Sequence, residues 1–384
     1  MSRAWPAALV PFALLGMLAA GFLLLRPLDW LSSGVPPVET LTVERVTLGP
    51  AGIAVQVRAG GAAPLSIAQV QVDGAYWQFA QSPPGPLGSL AAARIDIPYP
   101  WVEAESHHLV FITSSGASFD HTIEVALPTP MLSAADLGAF GLVGVLVGVV
   151  PVALGMLFYP ALRDLGRRGL EFVLALTVGL LVFLLIDTLQ EGLEIAAAAA
   201  AGFHATVVVW LAALLTLLTL FVVGRRGGRT PEAAGLAFLI ALGIGLHNLG
   251  EGLAIGASFA AGEAALASFL VLGIALHNVT EGVGIAAPLT RAQPRLTTFV
   301  ALAALAGLPA VLGTWGGAFA FSPHWTALCF GIAAGAILQV VIEVGAYLRR
   351  AAQAAGGSWL SGASLLGFAG GLAIMYATAL LVQV

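Results

Sequence analysis

The sequence predicts a polytopic all-α membrane protein: an eight-helix bundle preceded by an N-terminal transmembrane anchor and a small β-sandwich domain. Three observations carry this reading. The 384 residues are 59% hydrophobic and only 9% charged, where a soluble domain carries roughly 25% charged residues. Successive apolar runs approach the roughly 20 residues that cross a bilayer. One internal region breaks that pattern and alternates in the manner of strands.

Taken in order, AWPAALVPFALLGMLAAGFLLL (4–25) is the first apolar run, with Arg3 before it and Arg26 after it. No small-x-small site followed by a mature start is evident, so an uncleaved anchor over residues 1–30 is favoured over a cleaved signal peptide. Residues 38–129 are different. LTVERVTL, AGIAVQVRA, LSIAQVQVDG, AYWQFA, RIDIPYPWV, HHLVFITSSG and FDHTIEVAL alternate or are rich in β-branched and aromatic residues, with turns such as GPAG, AGGAAP and SPPGPLG between them. That pattern predicts an antiparallel sandwich of about 90 residues, enough for one core. Open sheet edges are not tolerated in lipid, so this domain is expected outside the bilayer.

The apolar runs resume over 134–384. Spans are predicted at 134–158, 170–195, 203–223, 233–259, 265–288, 297–319, 325–347 and 359–382. RDLGRR (163–168), GRRGGR (224–229), RAQPR (291–295) and LRR (348–350) follow alternate spans, and the intervening loops hold no Lys or Arg. The positive-inside rule makes those four loops cytoplasmic. The β domain, the loops near 200, 262 and 322, and the C-terminus are then extracytoplasmic, in a plasma membrane or cell inner membrane.

Against this apolar background the polar residues stand out. The second span carries Asp187, Gln190, Glu191 and Glu194 in LLIDTLQEGLEIA. The fourth reads GIGLHNLGEGLAIG, with His247, Asn248 and Glu251. The fifth repeats it as GIALHNVTEGVGIAAP, with His277, Asn278 and Glu281, and ILQVVIEVG in the seventh adds Gln339 and Glu343. Intramembrane carboxylates are costly and mark an ion or substrate path. On a helix, positions i and i+4 share a face, so His247 sits beside Glu251 and His277 beside Glu281. The asparagines turn about 100° away, within reach of a ligand at an adjacent position. If the two helices face each other, two imidazoles and two carboxylates converge, a donor set suited to a borderline ion such as Zn²⁺. Asp187 and Glu191, one turn apart, and Glu343 are secondary candidates. Glycines 243, 245, 250, 252 and 256 allow close helix approach, and Pro288 and Pro309 are expected to bend or end helices. His107, His108 and His121 read as ordinary β-surface residues. Cys329, the single cysteine, excludes a disulfide framework or a thiolate metal site.

The doubled HNxxEG, the eight spans and the outside C-terminus resemble the ZIP family of divalent metal transporters, particularly its bacterial members, over about residues 134–384. The resemblance implies uptake of Zn²⁺, with Fe²⁺, Mn²⁺ or Cd²⁺ as other cargo, through a binuclear centre between the fourth and fifth spans. It carries ligand roles onto His247, Glu251, His277 and Glu281, with Glu281 bridging, and second-ion roles onto Asn248 and Asn278. Asp187 and Glu343 correspond to further polar positions in the second and seventh spans. A sixth-span carboxylate of some members falls near Leu308 in this chain, where none is present. Homodimers and elevator-type movement are family properties and enter only as resemblance. The anchor and β domain are additions to that core.

Other functions are less well supported. There is no Walker motif for an ATP motor, no basic tract for nucleic acid, and no HExxH. An intramembrane zinc-dependent hydrolase and a metal-sensing membrane protein are the rival readings.

Overall fold

The computed structural model describes residues 13–21, 24, 38–61, 63–130, 133–225, 231, 233–261, 264–354 and 356–382. Residues up to Val38 form one compact unit and those from Glu39 onward another. In the first, residues 13–21 are helical. The rest of the expected anchor lies mostly outside the described residues.

The second unit begins with eight strands: β1 (Leu41–Gly49), β2 (Gly52–Ala59), β3 (Ile67–Val72), β4 (Ala75–Trp77), β5 (Ala80–Ser82), β6 (Ala92–Ile97), β7 (His107–Thr113) and β8 (Ser118–Ile123). They form two four-stranded antiparallel sheets, ordered β1-β2-β6-β5 and β4-β3-β7-β8. Alternation decides which side chains go inward. Ile53, Val55, Val57 and Ala59 of β2 are buried, as are Leu109 and Phe111 of β7, and both sheets contribute to one apolar cluster. AYWQFA reads as a single strand but divides. Ala75–Trp77 pairs with β3 and Ala80–Ser82 with β6, so the chain changes sheets between them. Asp73 and Gly74 both have positive φ in the β3–β4 hairpin, the conformation that an Asp-Gly pair favours in a two-residue turn.

Eight helices among the described residues are long and apolar enough to cross a membrane: α1 (Asp136–Arg163), α2 (Arg167–Ala197), α3 (Ala205–Gly224, with a short turn from Ala201 before it), α4 (Ala234–Ala261), α5 (Ala264–Ala286), α6 (Leu296–Ala320), α7 (Pro323–Ala354) and α8 (Gly362–Val382). All eight predicted spans are present. The chain therefore combines a β-strand domain with a polytopic helical membrane bundle. α4 and α7 are the most enclosed helices, and α3 and α8 the least.

The two motif helices bind different partners. Gly245, Gly252 and Gly256 of α4 lie against the carbonyls of Leu305, Ala310 and Thr314 on α6, and Gly313 and Gly317 of α6 lie against those of Leu249 and Leu253. A methyl group at any of these positions would overlap backbone, which is why glycine recurs there. The α5 helix makes the same kind of contact with α1, through Gly282 against Val152 and Gly155 against Val279. Each partner contains a proline. Pro309 lies inside α6, and Pro151 follows a π turn at Val145–Val149 in α1. Pro288 falls in the 3₁₀ turn Ala287–Arg291 that ends α5.

The β domain touches the bundle at one end. Arg45 Nη2 donates to the Ala260 carbonyl near the end of α4 at 3.4 Å. The Arg58 guanidinium lies 5.4 Å from the centre of the Phe203 ring, which stacks on His324 at 4.0 Å. The turn before α3, the end of α4 and the start of α7 thus share one end of the bundle with the β domain, as the alternation of basic loops predicts.

Candidate metal centre

Helix periodicity and glycine packing together set the site. Close contact of α4 with α6 and of α5 with α1 turns the polar stripe of each motif inward, where His247, Asn248, Glu251, His277, Asn278 and Glu281 are all buried. Glu251 Oε1 lies between the two imidazoles, 2.6 Å from His277 Nε2 and 3.1 Å from His247 Nε2. The first contact is a hydrogen bond. The second is not directed as one, which leaves His247 Nε2 without a hydrogen-bond partner. Ligand atoms of His247, Glu251 and His277 all lie within 4.8 Å of one another.

This arrangement fits a divalent ion. Zn²⁺ bound at about 2.0–2.1 Å in a tetrahedron needs its donors about 3.3 Å apart, so small outward shifts of the imidazoles would open the position. An ion there would take the place of the hydrogen bond between His277 and Glu251. Further donors are already buried and idle. Glu251 Oε2, both oxygens of Glu281, and Oδ1 of Asn248 and Asn278 have no hydrogen-bond partner. Buried polar atoms are seldom left so, and five oxygens grouped on two adjacent motifs are what a cation would satisfy.

The asparagines show why they are amides. Asn248 Nδ2 donates to the Ala306 carbonyl of α6 at 3.0 Å, and Asn278 Nδ2 donates to the Val147 carbonyl of α1 at 2.8 Å. Pro151 stands four residues after Val147 and has no N–H to give it; the Asn278 amide supplies a donor in its place. Each asparagine is thereby anchored by nitrogen, and its oxygen is left without a hydrogen-bond partner.

Among the other candidates, Asp187 and Glu191 line the same cavity as His247, Glu251 and His277, a space of about 520 Å³ between α2, α4, α5, α7 and α8. Gln190 and Glu194 also line it, hydrogen-bonded to each other at 3.0 Å. Glu343 does not line this cavity. Its Oε1 accepts from Arg225 Nε at 3.1 Å and Nη2 at 3.0 Å, while Gln339, one turn away and fully buried, has neither amide atom partnered. Leu308, where a sixth-span carboxylate would fall, is 50% exposed on the outside of the bundle.

Residue-by-residue reading of the sequence missed Thr188. Its Oγ1 lies 3.0 Å from His247 Nδ1, buried. With Nδ1–H donated to this hydroxyl, Nε2 presents its lone pair toward Glu251 and His277, the tautomer a metal requires. The available signal was its place next to Asp187 on the polar stretch of the second span.

The β-domain histidines have other roles. His107 Nδ1 pairs with Asp73 at 2.8 Å and Nε2 accepts from the Val102 N–H at 3.2 Å. Burial alone would raise the Asp73 carboxyl, but the His108 N–H, His107 and Tyr99 hold it below the usual carboxylate range. His121 is pushed down by burial. No family model matches the chain, and no curated protein matches it either.

Proposed function

We propose that this chain carries a divalent metal cation across the membrane through the His247–Glu251–His277 centre, with Zn²⁺ the preferred cargo and the cytoplasm its destination. The convergence of two imidazole nitrogens on one carboxylate oxygen deep in the helix bundle carries the reading. Imidazole and carboxylate together favour borderline ions such as Zn²⁺, with Fe²⁺, Mn²⁺ and Cd²⁺ as competitors. Glu281, Asn248 and Asn278 hold the oxygens for a second ion, and Asp187 and Glu191 stage the cation in the adjoining cavity. Glu343, paired with Arg225, belongs to a separate polar contact. Transport is favoured over hydrolysis because Glu251, the carboxylate nearest the imidazoles, is shared between them and is better placed as a ligand than as a free base.

The doubled motif on two interior helices supports placing residues 134–384 with the ZIP transporters. The single apolar cluster shared by both sheets supports a sandwich for 38–129, with 1–30 as an anchor. Arginine-rich loops at alternate ends support a cytoplasmic face opposite the β domain. A homodimer accords with the family resemblance.

The test is flux. Purified protein in liposomes is expected to take up radiolabelled Zn²⁺, and His247→Ala and His277→Ala are expected to abolish uptake while keeping the fold. Tight Zn²⁺ binding by wild-type protein without flux would overturn transport in favour of a metal-binding or sensing role.

A further inference from the structure

The cavity at the metal centre is lined along one stripe of α4. Beyond His247 and Glu251 its wall continues through Ala254, Ala257 and Ser258, steps of three and four that keep to one helix face. From Glu251 to Ala260 the helix rises about 14 Å, ending where Arg45 of the β domain meets the Ala260 carbonyl. A second space of about 280 Å³ begins there. It shares Ala257, Ser258 and Phe321 with the first, and Glu44, Arg45 and Val46 of β1 form its other wall.

The charges on this rim are unequal. Both oxygens of Glu44 are taken by Arg58, at 2.5 and 3.1 Å, so that carboxylate is neutralised within the β domain. Among the described residues Arg45 has no carboxylate partner, and its one side-chain hydrogen bond, to the Ala260 carbonyl, is long. Among the described residues, the outermost part of the path therefore presents an uncompensated positive charge.

We infer that β1 forms the outer rim of the ion path and that Arg45 is its rate-setting residue, an electrostatic threshold for cations approaching the His247–Glu251–His277 centre. This rests on the transport reading for its purpose but not for its test. Repulsion scales with the charge of the approaching ion and, at a wet rim, reaches about 8 Å at physiological ionic strength. Arg45 thus slows a divalent ion more than a monovalent one, and leaves the centre's hold on a bound ion unchanged.

Co²⁺ binding to full-length protein in detergent, followed by its d–d absorption in a stopped-flow instrument, tests this directly. Arg45→Gln is expected to raise the association rate about twofold and Arg45→Glu about fivefold at physiological ionic strength. Both gains should shrink toward nothing in 1 M salt. Arg45→Lys keeps the charge and should match wild type, and dissociation in the other variants should quicken by the same factor as association, so that the equilibrium affinity does not move. An unchanged association rate in a folded Arg45→Glu protein overturns the inference while the metal centre stands. Equal acceleration by Arg45→Lys also overturns it, since packing rather than charge would then control access. Failure of wild-type protein to bind Co²⁺ at all would overturn the centre and this inference together.

Discussion

HNLGEG on α4 and HNVTEG on α5 differ at two inner positions, yet the protein uses their glutamates in opposite ways. Glu251 sits between both imidazoles within 3.1 Å. Glu281 is buried more deeply, and neither of its oxygens has a hydrogen-bond partner. The asparagines, by contrast, behave alike, each donating to a carbonyl of a proline-containing helix. Duplication has therefore produced the same scaffold contacts twice but one assembled ligand group and one open carboxylate. The α4 motif holds together without an ion, whereas the α5 motif keeps a buried carboxyl group with no hydrogen-bond partner, which an ion would satisfy.

The largest test of that asymmetry removes its centre. Glu251→Ala takes the shared oxygen from both histidines and should lower Zn²⁺ affinity by more than about 100-fold, measured by calorimetry in detergent. Glu281→Ala should cost less at the first ion, because His247, His277 and Glu251 remain. Equal losses in the two variants would show that the metal-free difference between the glutamates disappears on loading.

Thr188→Val comes next. The change nearly preserves volume and removes the partner of His247 Nδ1. Affinity should fall about 10- to 100-fold, the usual consequence of freeing a ligating imidazole from its orienting contact. No equivalent hydroxyl contact is made by His277 among the described residues, so the effect belongs to the α4 side. NMR of labelled histidine should show His247 losing its single tautomer; an unaltered tautomer with unaltered affinity would break the assignment.

These two tests also mark how far the sequence could be read. Eight apolar runs forecast eight helices because crossing lipid demands length and hydropathy in one contiguous stretch. The forecast of 325–347 fell short of α7, which continues to Ala354: a helix need not stop where its apolar run does, and Arg349, Arg350 and Gln353 simply extend it. His247 and Glu251 were legible as a pair because i,i+4 geometry is local. Thr188 was not, because nothing in the period of α2 says which helix it faces. Glu343 shows the same limit from the other side. As an acidic outlier in an apolar run it looks like Glu251, but its contact with Arg225 comes from another helix's end. In the β domain, AYWQFA reads as one run because a strand pattern does not show a change of sheet.

A smaller effect, but one opposite in sign between the motifs, comes from neutralising each glutamate in turn. Glu281→Gln removes the cost of burying, without a partner, a carboxyl group that water would keep ionised, and should stabilise the metal-free protein by about 1–2 kcal/mol, seen as a higher melting temperature in chelator. Glu251→Gln leaves His277 only a neutral amide oxygen in place of the charged acceptor and should destabilise the metal-free protein by about 1–3 kcal/mol. In excess Zn²⁺ the order should reverse for Glu281→Gln, because the wild-type carboxylate then has its cation. A destabilised Glu281→Gln in chelator would mean that the carboxylate is already satisfied without metal.

The smallest difference lies between the asparagines. Asn248→Asp and Asn278→Asp are near-isosteric, and each trades an amide donor for a carboxylate on its motif. At Asn278 the lost donor had served Val147, whose carbonyl Pro151 cannot serve four residues on. At Asn248 it had served Ala306, whose i+4 neighbour, Ala310, retains its N–H. Losing the first bond should therefore cost about 1 kcal/mol more than losing the second in the metal-free protein. The added charge should bring the larger gain in second-ion affinity to the same variant, because Asn278 shares its helix with the open Glu281. Asn278→Asp is thus expected to melt lower than Asn248→Asp in chelator and to recover more with Zn²⁺. Identical melting shifts with and without metal would show that the two proline-containing helices support their motifs equally, leaving Glu251 and Glu281 as the sole difference between the halves.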